Sequence, residues 1–155
     1  MDQGVTLRQK DMQELTLRPG KLSDAPAIAK LATQLGYPST SEEVERRLTP
    51  VLDDSGHLVA VAETTGGIAG WIHAYVCYVL ESDAYVELGG FVVDESRRGQ
   101  GVGGMLLGKV EEWARRKGCG SVRVRSNIVR LGAHKFYAAQ GFEQIKTQHA
   151  FRKRL

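Results

Sequence analysis

The run Arg98-Gly99-Gln100-Gly101-Val102-Gly103-Gly104 sets a cation and four glycines where a strand gives way to a helix. Upstream, Tyr85, Val86, Leu88, Phe91, Val92 and Val93 are the β-branched, aromatic and aliphatic residues of a buried strand. Downstream, Val102, Leu106, Val110 and Trp113 recur at spacings of four, four and three, which is one face of a helix. The first N–H groups of a helix have no internal partner and sit at the positive end of its dipole. Glycine lets an anion reach them with no Cβ in the way. The chemistry implied is the binding of a phosphate-bearing ligand.

Three glycine motifs compete for this stretch. Gly99, Gly101 and Gly104 satisfy G-x-G-x-x-G, the dinucleotide fingerprint. That motif turns directly off a strand and needs an acid about 20 residues on. Here polar residues intervene, and the later region offers Arg123 and Arg125, so only an NADP-binding oxidoreductase survives on this reading. Gly103, Gly108 and Lys109 satisfy G-x-x-x-x-G-K, but Val110 stands where Ser or Thr is needed, and the intervening residues read as helix. Arg98, Gly101 and Gly103 satisfy a third pattern, Q/R-x-x-G-x-G/A.

That third pattern, on its strand and helix, resembles the acetyl-CoA site of the GNAT N-acetyltransferase superfamily. The segment Ala133-His134-Lys135-Phe136-Tyr137-Ala138-Ala139-Gln140-Gly141-Phe142 is similar to the family's A-x-x-F-Y-x-x-x-G-F helix. The two motifs stand in the family's order, and the resemblance covers Tyr85 to Phe142. It implies acetyl-CoA as cofactor and a primary amine, on a small molecule or a peptide, as acceptor. It implies that Arg98, Gly99, Gln100, Gly101, Val102, Gly103 and Gly104 hold the cofactor phosphates, and that Phe91, Val92 and Val93 offer backbone groups to the pantetheine. Tyr137 matches the tyrosine of the F-Y pair, the acid expected to protonate the departing thiolate. Its alternative is an amphipathic core tyrosine, and Phe136 reads as core. The family often carries an asparagine three residues before the alanine of the F-Y segment; Arg130 stands there instead. Asn127, at the end of the preceding strand, is a pantetheine candidate, and Arg130 a phosphate candidate.

Thioester aminolysis also needs a base for the ammonium. Glu87 is the candidate. It lies eleven residues before Arg98, where some acetyltransferase branches carry a glutamate, and an apolar strand desolvates a carboxyl. The competing reading is a solvated strand carboxylate or one paired with arginine; Glu63, Asp83 and Glu95 are weaker bases. His57, His73, His134 and His149 have no metal-ligand spacing and read as structural, so no metal is expected. Cys77 and Cys119 lack a nucleophile motif and fit reduced thiols. A non-catalytic acyl-CoA-binding module is the remaining alternative.

The chain has 155 residues, 42% hydrophobic and 25% charged, the size and composition of one globular domain. No apolar run approaches the roughly 20 residues that span a bilayer. Residues 1–13 are polar and aperiodic, read as a flexible N-terminus without the apolar core of a signal peptide, so a cytoplasmic location is expected. Residues 113–155 hold eleven Lys or Arg against one acid, Glu143, while the rest holds ten against seventeen acids. The basic residues are scattered over several elements, and no nucleic-acid-binding fold is visible, so coenzyme A phosphates are the preferred polyanion. Oligomeric state is not legible; a homodimer is one arrangement open to the chain.

Residues 14–155 read as the acetyltransferase domain. A first strand covers Leu15–Arg18, a helix follows Ser23-Asp24, and another begins at Ser41. Strands at 57–63 and 68–80 flank Thr65-Gly66-Gly67, with Tyr75 and Tyr78 on opposite faces of the second. The central strand from Ala84, the glycine loop and its helix come next. A strand at 121–125, the F-Y helix over 130–140 and a terminal hairpin of 142–146 with 149–153 complete the chain. The expected fold class is α/β: a mixed, mostly antiparallel sheet with helices on both faces. The resemblance adds splayed central parallel strands.

Overall fold

The computed structural model describes residues 14–155; the flexible stretch expected over 1–13 lies outside the described residues. The chain divides between Val124 and Arg125 into two compact units.

The first unit is built on one sheet. Its strands are β1 (Thr16–Pro19), β2 (His57–Thr64), β3 (Gly67–Cys77), β4 (Tyr85–Val93) and β5 (Val122–Arg123), and they lie side by side in that order. The first four are mutually antiparallel and β4–β5 is parallel. β3 is central, as its apolar character predicts. It ends at Cys77 rather than Leu80. Tyr78 therefore lies beyond the strand and is 82% exposed, which corrects the expected face assignment.

Helices α1 (Ala25–Gln34) and α2 (Ser41–Leu52) cover one face. Ala25, Ile28, Ala29, Val44 and Leu48 form a buried cluster with Val59 of β2, and Trp71 of β3 packs against it. The other face carries α3 (Val102–Arg116). A Cβ added to Gly70, next to Trp71 and on the opposite side of β3, would lie 3.2 Å from Leu106 of α3. The four residues that the periodicity placed on one face of α3, Val102, Leu106, Val110 and Trp113, are all buried. Local chemistry sets the helix ends. Thr40 and Glu43 exchange hydrogen bonds at the start of α2 as a capping box. Arg18 ties β1 to the turn before α1 through Asp24 at 2.8 Å and to β2 through Glu63 at 2.7 Å.

Two bulges set which side chains share a face. The β2–β3 register slips by one residue near Ala62/Glu63. The β3–β4 register slips between His73 and Ala74, leaving Gly89 as the extra residue of β4.

In the second unit, α4 (Leu131–Ala139) follows a turn at 127–130, and Gly141 ends it with φ of 89°. Two sequence expectations fail here and just before it. The strand expected at 121–125 pairs only at Val122 and Arg123. The terminal hairpin is absent: no strand is assigned after α4 among the described residues. Ile145 (69% exposed) and Phe151 (95%) bury no face, and a lone two-stranded hairpin without a buried face has little to hold it.

Candidate active site

The glycine loop grows out of β4 through a tight turn. The Asp94 side chain accepts from the Ser96 N–H and hydroxyl at 3.0 Å each. Those bonds, the backbone one foremost, hold its carboxyl below the usual range. Arg98 Nε donates to the Val93 carbonyl at 3.3 Å, so the loop is stitched back to the strand. Gly99 and Gly101 take φ of 76° and 84°, the left-handed region that glycine occupies freely. Gly101 is the N-cap of α3 and makes no side-chain hydrogen bond to its first amides. A Cβ added at Gly99 or Gly101 would meet nothing within 4 Å. Open space beside a helix N-terminus is what a pyrophosphate cradle requires. Gly103 is buried within the packed face of α3, while Gly104 is partly exposed.

β4 supplies the second component. Its ladder with β5 holds Val86 to Val122 and Glu87 to Arg123, and stops there. From Leu88 to Val93 the strand runs on beyond that ladder, because β5 ends at Arg123. Phe91, Val92 and Val93 lie on this stretch; Val92 is buried and the other two are half-buried.

Glu87 is 4% exposed, and its neighbours in the ladder are Tyr75 on β3 and Arg123 on β5. The solvated alternative is therefore excluded. Glu63 is drawn off by Arg18, whose hydrogen bond holds its carboxyl below the usual range. Asp83 and Glu95 are exposed. Among these carboxylates only Glu87 is withdrawn from water. Arg123 stacks its guanidinium 3.7 Å from the Tyr85 ring centroid.

The second unit carries the remaining candidates. The Tyr137 ring meets Phe136 and Phe142 edge-on, at centroid separations of 5.5 and 5.4 Å. Burial pushes its phenol above the ordinary value, with Arg130 pulling weakly the other way. Phe136 is half-buried, short of the core place expected for it. Asn127 Oδ1 accepts from the Val129 N–H at 3.1 Å, and its carbonyl accepts from the Arg130 N–H at 3.0 Å. The asparagine thus shapes the turn into α4, and Arg130 is the residue that caps the helix.

The sequence reading passed over two features. The indole N–H of Trp71 and the hydroxyl of Ser126 are buried with no hydrogen-bond partner among the described residues. His57 Nδ1 and His73 Nε2 lie 2.9 Å apart with their rings stacked, a pair that sequence spacing hides. Among the described residues no group of three or more His, Cys, Asp or Glu could hold a metal ion. Cys77 and Cys119 are free thiols. No described helix is long and apolar enough to cross a membrane.

Residues 25–142 match the acetyltransferase (GNAT) family, and the chain belongs to that family. An aminoalkylphosphonate N-acetyltransferase of Salmonella typhimurium is 33% identical over 95 residues, 61% of either chain. An aminoglycoside N(6′)-acetyltransferase of Klebsiella aerogenes is 28% identical over 90% of this chain and 96% of its own length. An aminoglycoside N-acetyltransferase solved with CoA superposes with a TM-score of 0.81, at 23% identity, over 91% of this chain and 95% of that one. Glucosamine-6-phosphate N-acetyltransferase from Arabidopsis thaliana gives 0.75 at 20% identity, over 89% and 97%. The match spans about three fifths of the length of the Salmonella enzyme. The α/β fold of this chain is the GNAT fold, and acetyl-CoA is the cosubstrate of the family. The dinucleotide reading of the glycine loop finds no support in these matches.

Proposed function

We propose that this protein transfers the acetyl group of acetyl-CoA to a primary amine by direct attack. The observation that carries the proposal is the membership in an acetyltransferase family together with a glycine loop that is open at Gly99 and Gly101. Acetyl-CoA supplies an activated acetyl group. Arg98 and the loop from Gly99 to Gly104 hold its phosphates, and Arg130 and Asn127 of the second unit are further contacts. Phe91, Val92 and Val93 present backbone N–H and carbonyl groups along the stretch of β4 beyond its ladder, as an added strand would receive them. One of those N–H groups polarises the thioester carbonyl. Glu87, withdrawn from water, takes the ammonium proton directly or through a water. Tyr137 gives a proton or hydrogen bond to the leaving sulfur.

The acceptor class that fits is a small amine. Curated relatives named for aminoalkylphosphonates and aminoglycosides support that choice over a peptide or a nucleic acid. A cytoplasmic location agrees with the two free thiols and with the absence of a membrane-spanning helix among the described residues. Dimerisation is consistent with this function but not required by it.

The test is thiol release from acetyl-CoA against a panel of amines: kanamycin, aminoethylphosphonate, spermidine, amino acids and a short peptide. Thiol release that depends on one of the amines is the expected result. Tight acetyl-CoA binding with no turnover of any amine would favour a non-catalytic acyl-CoA-binding module instead.

A further inference from the structure

Helix α1 ends in a way that fixes one side chain. Ile28, Ala29, Leu31 and Ala32 are buried along it. At its end the Tyr37 N–H donates to the Ala32 carbonyl at 3.0 Å and the Gly36 N–H to the Thr33 carbonyl at 3.1 Å, with Gly36 at φ of 93°. This is a Schellman stop, and it leaves Gln34 as the last helical residue in a defined place.

The Gln34 side chain reaches a segment 61 residues further on, where its Oε1 accepts from the Glu95 N–H at 3.0 Å. Glu95 opens the short 3-10 helix Glu95–Arg97, which leads directly into Arg98 and the glycine loop. The first amides of such a turn have no partner inside it. Asp94 takes the amide of Ser96, and Gln34 takes that of Glu95. The Gln34 amide also bonds the Asp94 carboxylate. The Ser96 N–H foremost, and Gln34 after it, hold that carboxyl below its usual range, and the charge of Lys30, one turn before Gln34, acts the same way. From another side the Ala69 carbonyl of β3 accepts from the Asp94 N–H at 2.8 Å. The turn is thus held by both β3 and the end of α1.

The contact joins elements from the two sides of the sheet. α1 covers the face on which Trp71 packs. Trp71, His73 and Tyr75 alternate onto that face, and Glu87 shares it because it pairs with Tyr75. The glycine loop begins α3, which covers the opposite face. Gln34 therefore ties the loop to the helix on the side of the candidate base. Glycines at left-handed φ leave their conformation easily, so each restraint on the loop's entry lowers the ordering cost that a bound ligand must otherwise meet.

We propose that Gln34 is a positioning residue for acetyl-CoA binding. It acts through the Asp94–Glu95 turn and holds the entry of the glycine loop where Arg98 and Gly99–Gly104 meet the cofactor phosphates. The proposal rests on the assignment of acetyl-CoA to that loop and adds the residue, outside the loop, that sets its position.

The test measures acetyl-CoA binding by calorimetry, which needs neither an amine nor turnover. Gln34→Met keeps the length of the side chain and removes both bonds. It should raise the acetyl-CoA Kd about two- to tenfold, the worth of one hydrogen bond, with little change in the apo Tm. Gln34→Glu sets a carboxylate against Asp94, and Asp94→Asn sets an amide against that of Gln34; each alone should weaken binding. Together they restore the pairing. The introduced amide can donate to the introduced carboxylate, while the oxygens still accept from the Glu95 and Ser96 N–H groups. The double variant should bind acetyl-CoA more tightly than either single one, a recovery that lost packing would not produce. An unchanged Kd in Gln34→Met, or a double variant no tighter than the singles, overturns the proposal. If Gln34→Met fails to fold, the paired exchange decides alone. With an amine that is turned over, Gln34→Met should raise the KM for acetyl-CoA and leave the amine KM in place; equal rises in both would also overturn it. Binding of acetyl-CoA without turnover of any amine counts against the acetyl-transfer reading and leaves the calorimetric result standing. No binding to the unaltered protein overturns the loop assignment and this proposal with it.

Discussion

Glu87 and Arg123 are the last partners in the ladder between β4 and β5. Before them the parallel strands are joined; from Leu88 onward β4 runs beyond the ladder. The buried carboxylate therefore stands at the end of the ladder, next along β4 to the stretch that carries Phe91, Val92 and Val93.

Glu87→Gln keeps the shape of this side chain and removes its basicity. Turnover should fall by roughly 10²–10⁴ if Glu87 deprotonates the amine. Acetyl-CoA affinity should stay nearly unchanged. Raising the pH should restore part of the rate, because free amine then forms without a base; a lysine-like amine has a pKa near 10. Full activity at neutral pH would remove Glu87 from the mechanism.

The glycine loop makes a separate demand. A ligand that binds only the native state raises its Tm. Acetyl-CoA should do so and NADP should not. Gly101→Ala places a Cβ on a backbone at φ 84°, in the region where a non-glycine residue costs about 1–2 kcal/mol. The apo protein should lose a few degrees of Tm by that strain. The added Cβ also enters the open space next to the α3 amides, so the acetyl-CoA shift should shrink further. Stabilisation by NADP and none by acetyl-CoA would overturn the loop assignment.

Much of this site was legible because its signals are local. The α3 face and the glycine loop follow from residue types a few positions apart, and Gly99 and Gly101 take the left-handed backbone that favours glycine. What the sequence hid depends on register. With an unbroken hairpin from the Thr64–Gly67 pair, His57 would oppose Ala74 and point away from His73. The one-residue slip near Ala62/Glu63 sets His57 against Tyr75 and brings the two imidazoles to one face. The bulge at Gly89 then lets that glycine pack against the His73 and Tyr75 rings. The terminal hairpin was misread for the opposite reason. Residues 142–153 alternate plausibly, but alternation makes strands only where a face is buried, and Ile145 and Phe151 are exposed.

Acid should weaken the fold through His73. Its pKa falls from 6.5 to about 4 on folding. Between those values the unfolded chain binds more protons, so stability rises with pH in that window. The contribution is whole above pH 6.5 and is lost as pH falls towards 4. Its ceiling is roughly 3 kcal/mol, reduced by solvent at the partly exposed ring. Asp24 and Glu63, whose carboxyls are held below their usual values by Arg18, lose their contributions only at lower pH. Urea midpoints at pH 7, 6 and 5 should therefore fall in the unaltered protein and fall less in His73→Asn. Equal slopes in the two would assign the acid loss elsewhere.

Tyr137→Phe separates chemistry from packing in the second unit. The rings that touch Tyr137 are Phe136 and Phe142, both edge-on, and a phenylalanine keeps those contacts. Burial raises the phenol pKa above its ordinary value, so the hydroxyl is protonated at neutral pH and can act only as a donor of a proton or hydrogen bond. The negative charge it would meet, on the departing sulfur, exists only as the carbon–sulfur bond breaks. A donor used at that moment lowers the barrier without tightening the ground state. The variant should therefore lose kcat by about 10²-fold or more while Tm and acetyl-CoA affinity hold. A packing role predicts another pattern: little change in rate, or a fall in Tm large enough to account for the lost activity. Both quantities are measured on one preparation, and a kcat equal to that of the unaltered protein returns Tyr137 to a purely structural place beside Phe136 and Phe142.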